Sequence, residues 1–272
     1  SMYFPSHYIR FISRHLTLVL ISSLVWPLLL QAQEADAITQ KISLGSHFSS
    51  GKYGAEDETD IFFFPVSYEL AKFPWVLNLT ASYLGIKGPS DVFLETGNIG
   101  RGRVGTNEII DEKGVGDLVI AGGYQFPPIF NGWVFVDLTV QAKIPTADET
   151  RDLGTGETDY GFQLDFYTTL DRNTWLSTFG YRNRGKTPLY DLENSSFASL
   201  GYMRQYGERM YAGLIYDYRE RASSNSFESH EVMPFVSYNV TDKLSLMAYT
   251  VAGFTDSSAD RTFGLQLSYT LP

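Results

Sequence analysis

The residues of this chain that could do chemistry are few and widely spaced. His47 and Ser49 stand two apart in Ser46-His47-Phe48-Ser49. On a strand they would share a face, and an imidazole beside a hydroxyl can take its proton and make it a nucleophile toward an ester. The other histidines, His7, His15 and His230, are too scattered to assemble a metal site. Cysteine is absent, which removes disulfide frameworks, thiolate zinc sites and cysteine nucleophiles together. Gly100-Arg101-Gly102-Arg103-Val104-Gly105 fits the glycine pattern of a phosphate cradle, but no strand–helix unit surrounds it. The acidic stretches Glu56-Asp57-Glu58 and Asp148-Glu149 with Asp152 suit either divalent cations or solvated loop charge. No cofactor is called for. What remains is a set of isolated charges set into apolar segments: Lys41, Glu69, Asp117, Asp137, Lys143, Asp159, Asp165, Arg182, Arg184, Arg204, Asp217, Arg219 and Glu231.

The elements that carry those charges have a period of two, the signature of strands. Phe263, Leu265, Leu267, Tyr269 and Leu271 alternate with Thr262, Gly264, Gln266, Ser268 and Thr270. Val134, Val136, Leu138, Val140, Ala142 and Ile144 alternate with Asp137, Thr139, Gln141 and Lys143. Turn residues divide the chain into about twelve strands, near 38–50, 58–70, 74–86, 115–126, 133–145, 158–170, 174–185, 195–206, 210–222, 229–240, 244–255 and 260–271. Short connections alternate with long ones. The longest, 87–114, carries Pro89, Phe93, Leu94, Ile99, Ile109 and Ile110, and suits either a lid folded into a mouth or a mobile surface loop.

Composition places these strands. Aromatics make up 15% of the 272 residues and charged residues 19%, where about a quarter is usual, so a disordered chain is excluded. Arg10 and Arg14, the apolar run 16–30, and Ala32, Ala35 and Ala37 follow the order of a secretory signal peptide. Residues 33–272 are assigned to an outer-membrane β-barrel and 1–32 to that signal, with cleavage after Ala35 or Ala37 and a membrane anchor as the alternatives. Its removal takes two arginines and no acid, moving the formal charge from −10 to −12. Such an acidic chain is not expected to bind nucleic acid.

The polar face carries Ser, Thr, Gly, Gln and single charges rather than a dense Lys/Glu coat, while its partner face is Val, Leu, Phe, Tyr and Trp. That combination fits an all-β, transmembrane, antiparallel up-and-down β-barrel with its apolar side toward lipid. Tight turns would be periplasmic and long loops external. Trp75, Trp133, Trp175, Tyr206 and Tyr211 beside the short turns would form an interfacial girdle.

Three stretches carry a family resemblance: VGDLVIAGGYQF (115–126), KIPTADETRDLGTGETDYGFQL (143–164) and FGYRNRGKTP (179–188). With SLGSHFSSGKYG (43–54), TDIFFFPVSYEL (59–70) and YLGIKGPSDV (83–92), the chain resembles the outer-membrane transporter family of the meta-pathway of phenol degradation. The resemblance implies a twelve-stranded barrel in the outer membrane of a Gram-negative bacterium. It also implies passive uptake of small solutes, with a tilt toward apolar or aromatic compounds. The chain ends Tyr269-Thr270-Leu271-Pro272, whereas such barrels commonly finish on an aromatic read by the assembly machinery.

On that architecture the charged set lines the lumen, because an Arg or Lys turned toward lipid at midplane costs about 2–4 kcal/mol. A turn at Arg172-Asn173 would put Gln163 opposite Arg182. The preceding hairpin would put Asp137 near Asp165 and Lys143 near Asp159. Such charges either select solutes at a constriction or form an ion-pair ladder that plugs the bore. Pro65, among Phe62, Phe63 and Phe64, marks either a bulge or a lateral opening to lipid. The expected partners are outer-membrane lipid and lipopolysaccharide, the assembly machinery and a small solute, and the barrel is expected as a monomer. The alternatives are a lipid esterase built on His47 and Ser49, a pairing that outer-membrane phospholipases and lipid A deacylases use, and a purely structural barrel.

Overall fold

The computed structural model describes residues 37–90, 92–95, 98–101, 108–224 and 226–272; the expected signal segment 1–32 lies outside them. Fifteen strands follow in chain order: β1 (Thr39–Gly51), β2 (Thr59–Lys72), β3 (Trp75–Pro89), β4 (Val92–Glu95), β5 (Asn98–Arg101), β6 (Ile109–Val115), β7 (Leu118–Gln125), β8 (Phe135–Ile144), β9 (Asp159–Leu170), β10 (Asn173–Asn183), β11 (Ser195–Tyr206), β12 (Met210–Arg219), β13 (Ser229–Asn239), β14 (Leu244–Gly253) and β15 (Arg261–Thr270). All pairings are antiparallel, between chain neighbours except where β3 pairs with β6 and β7, and β15 returns to β1, so the sheet closes on itself. A closed sheet leaves no strand edge with unpaired amides, which is what a hydrocarbon environment requires.

The barrel has twelve wall positions. Eleven are single strands. The twelfth is shared by β6, which pairs with Tyr83–Pro89 of β3, and β7, which pairs with Trp75–Thr80. Between them Gly116 donates its amide to the Ser82 carbonyl at 2.9 Å, and Asp117 is the extra residue of a bulge. A β-carbon at Gly116 would meet the Ser82 hydroxyl, which would have to turn away. The expected loop 87–114 is therefore shorter than its sequence suggested. Its ends belong to β3 and β6, and β4 and β5 pair as a small hairpin inside it.

The outward face is apolar. Leu44, Phe48, Phe62, Phe64, Val66, Leu77, Val140, Phe162, Leu200, Leu214, Val236, Leu246, Phe263 and Leu265 stand exposed around the circumference. Isolated exposed apolar residues are ordinary, but a continuous belt of them marks contact with lipid. Near the short turns Trp75, Trp133, Trp175 and Tyr206 also point outward. Trp75 packs edge-on to Tyr124 at 4.8 Å between ring centroids, and Trp175 meets Tyr202 at 5.6 Å. Tyr211 departs from the expected girdle: it is buried and inward-facing, opposite Gln205 and Ser237.

Pro65 makes no bulge, but one of its two ladders is interrupted beside it. Its side chain points inward with Phe63, while Phe62 and Phe64 point to lipid. The β1–β2 ladder skips the rungs at Gly45 and Ser46, then resumes in the same register at His47↔Phe63. On its other side β2 pairs with β3 at every position from Asp60 to Lys72.

Candidate functional site on the inward wall

Alternation sends one residue in two inward, and ten of the thirteen charged residues fall along that wall in four groups. The densest surrounds Lys143 at the long-loop end of β8. Its ammonium lies 3.1 Å from Asp117 and 2.9 Å from Asp159, and donates to the Thr155 hydroxyl at 2.8 Å. Asp117 also accepts from the Thr146 and Ala147 amides at 3.1 and 3.0 Å, and the Thr146 hydroxyl donates to the Gly116 carbonyl. Asp159 accepts from the Gly185 amide at 2.9 Å. Gly154 lies so close to Asp117 and Ala147 that a side chain there would displace one of them. The result is a stitched mouth: the loop between β8 and β9 is bound to the wall by three strands' worth of polar groups. From that loop Leu153 reaches across to cover Gly114, and Asp152 accepts from the Tyr190 hydroxyl at 3.3 Å.

A second group lies toward the short-turn end. One rung of the sheet carries Gln125 opposite Asp137, Asp137 opposite Asp165, and Asp165 opposite Thr178. Asp165 accepts from Thr178 at 2.5 Å and from Gln163 at 2.7 Å. The next inward pair on the same two strands is Phe135 and Tyr167, stacked with centroids 5.2 Å apart and planes 19° from parallel. The third group is Arg219 between Asp217, at 2.8 Å, and Glu231, with Ser199 donating to Asp217 at 2.7 Å. The fourth is the pair Lys41–Glu69 at 2.8 Å. Arg182 is buried on the inward face of β10, and Arg184 just beyond it donates to the Glu193 carbonyl and the Ser195 hydroxyl.

Two sequence expectations need correction. Arg204 is on the outward face: β11 turns its odd-numbered residues inward, and Arg204 lies beside Asn173 with its guanidinium 5.8 Å from the Tyr206 ring centre. Its place two residues from the end of β11 lets the long side chain reach the polar boundary, which alternation alone cannot reveal. The β9–β10 turn falls at Asp171-Arg172, with Asp171 at φ 55°, not at Arg172-Asn173. This shifts the register by two, so Gln163 faces Gly180 and Arg182 faces Gly161. A two-residue slip preserves the faces. The preceding hairpin pairs Asp137 with Asp165 and Lys143 with Asp159.

Sequence reasoning missed the apolar half of the wall. Ile61, Phe63, Leu84, Ile86, Tyr167, Leu176, Met203, Ile215, Met233, Phe235, Met247, Tyr249 and Val251 all point inward and pack into one cluster. The signal that could have found it is the glycine opposite each ring. Phe197 lies over Gly180, Phe235 over Gly213 and Tyr249 over Gly264, each ring occupying the space a β-carbon would fill.

His47 and Ser49 share the inward face, but each is bonded elsewhere. His47 Nδ1 meets the Tyr249 hydroxyl at 3.1 Å; Ser49 meets Tyr53 at 2.5 Å and Thr262 at 2.9 Å. Both are buried inside the wall, on the side away from lipid acyl chains. Among the described residues no cluster of three or more His, Cys, Asp or Glu could hold a metal ion.

A closed twelve-position barrel, greasy outside and lined by paired charge and apolar rings inside, defines a transmembrane β-barrel. Solved structures share this fold, a channel and a porin among them. An outer membrane channel from Pseudomonas putida F1 is 11% identical, with 88% of this chain and 97% of that chain covered at a TM-score of 0.67. The KdgM porin is 8% identical, with 85% of this chain and 99% of that chain covered at a TM-score of 0.52. No family model matches the chain, and no curated protein matches it.

Proposed function

We propose that this protein is an outer-membrane channel for passive uptake of small solutes, needing no cofactor, with a preference for apolar or aromatic compounds. The observation that carries the preference is the contiguous apolar cluster on the inward wall, rich in Phe, Tyr and Met. A general polar pore has no need of such a lining, whereas an apolar solute gains from it at every step. Paired charges supply the remaining wall: each acid of the Lys143, Arg219 and Lys41 groups sits against a base. The resemblance to the phenol-degradation transporter family supports the same substrate class. In this reading the signal segment 1–32 exports the chain, short turns face the periplasm, and the stitched loop between β8 and β9 forms part of the external mouth.

The test is flux into liposomes reconstituted with the purified barrel. Small aromatic alcohols should enter faster than into empty liposomes, and sugars of similar mass should not. Equal entry of both would remove the preference. A second reading has its own support. Inward side chains such as Gln266, 2% exposed, and Met247, 4% exposed, are nearly covered, as expected of a filled structural barrel. Absence of any flux or single-channel conductance would favour it.

A further inference from the structure

We propose that the Asp137–Asp165 pair is a seat for the primary ammonium group of a small arylalkyl amine, a substrate class that rests on the channel reading above. Three observations on adjacent strands carry this.

Asp137 and Asp165 face each other directly across β8 and β9, and are 3% and 4% exposed. Their neighbours are neutral: Gln125 donates to Asp137, and Thr178 and Gln163 donate to Asp165. The acids of the Lys143, Arg219 and Lys41 groups, by contrast, each have a base within reach. Like charges directly opposite on a sheet repel, and a buried carboxylate without a counter-charge is costly. A positive charge is what this rung lacks.

The acceptors are in place for it. Asp137 Oδ2 and Gln125 Oε1 are buried with no hydrogen-bond partner, and the Gln125 amide is already held against Asp137 by its own donor. A primary ammonium has three hydrogens to give. Asp137 Oδ2, Gln125 Oε1 and the Asp165 carboxylate are three acceptors on one rung.

The organic part of the occupant follows from the adjacent rung. Phe135 and Tyr167, stacked on the same two strands and the same face, offer aromatic surface beside the carboxylates. Ring faces attract organic cations and pack on flat apolar bodies. An ammonium carried on a methylene beside an aromatic ring uses both features, whereas a bare inorganic ion uses only the first.

The experiment is thermal unfolding of the purified full-length barrel in detergent, with benzylammonium, benzyl alcohol or potassium as the added probe. Benzylammonium should raise the midpoint by a few degrees at saturation, with little effect from the other two. The Asp137→Asn/Asp165→Asn variant, which keeps side-chain volume, should lose the shift; Asp137→Asn alone serves if the double variant does not fold. No shift with benzylammonium, as a proton shared between the carboxyls would give, overturns the proposal. So does an equal shift with benzyl alcohol or potassium, or a shift that persists in the variant. Liposome flux of benzyl alcohol decides the channel reading separately, because binding is read here without transport.

Discussion

At the scale of single residues the wall is most sensitive where one base serves two acids. Lys143→Met would leave Asp117 and Asp159 inside the mouth without their shared ammonium, and breaking a buried pair in this way costs about 3–5 kcal/mol. Urea unfolding in detergent should show that loss, and Lys143→Met/Asp159→Asn should recover part of it. Arg204→Ala should leave both stability and conductance nearly unchanged, because its guanidinium lies at the outer boundary. Arg182→Ala or Asp165→Ala should alter single-channel conductance or ion selectivity if these side chains border the passage; unchanged traces would make them scaffolding. The inward charges were legible because a lone Lys or Asp in an alternating apolar segment has one affordable direction. Arg204 was misplaced because its long stem escapes that rule near a strand end. The apolar inner rings were not legible, since Phe235 and Tyr249 look in sequence like lipid-facing residues. Only the cross-strand register, which places them against Gly213 and Gly264, reveals their side.

At the scale of elements, eleven of the twelve wall strands could be located within a few residues, because period-two alternation and turn residues act locally, whereas β6 fell almost wholly in the expected loop 87–114. What could not be read was the bulge between β6 and β7, which depends on Ser82 and Gly116 meeting from strands far apart in sequence. The motifs behind the family resemblance turn out to be the stitched mouth. Gly116-Asp117, Lys143 to Thr146, Gly154-Thr155 and Asp159 are all joined in it. Their spacing recorded a loop anchor. Pro65 belongs to this scale too. Because the ladder resumes in register beyond it, Pro65→Ala should leave uptake of apolar solutes unchanged in the liposome assay, and a clear fall would revive a lateral opening there.

At the scale of the whole molecule the controlling fact is which side of the sheet meets hydrocarbon. Leu200, at the middle of β11 and 61% exposed, reports on it directly. Leu200→Arg should cost about 2–4 kcal/mol in lipid or detergent, while Leu200→Phe should be nearly neutral. A barrel that tolerated the arginine and stayed dispersed without detergent would have the opposite polarity. Whole-molecule polarity was legible from composition, since the polar faces carry too few charges to coat a water-soluble surface. The degree to which the interior is filled was not, because it depends on how rings and loops fold back across the bore.

The rings laid over Gly180, Gly213 and Gly264 bear on the gauge of any conduit through this wall. A ring flat against the sheet takes up its thickness, whereas one forced upright takes up its full breadth. Residues without side chains therefore act as the recesses of a shutter. Filling one of them would narrow the aperture more than enlarging any ring, and the calibre would be tuned from behind the surface that a travelling molecule touches.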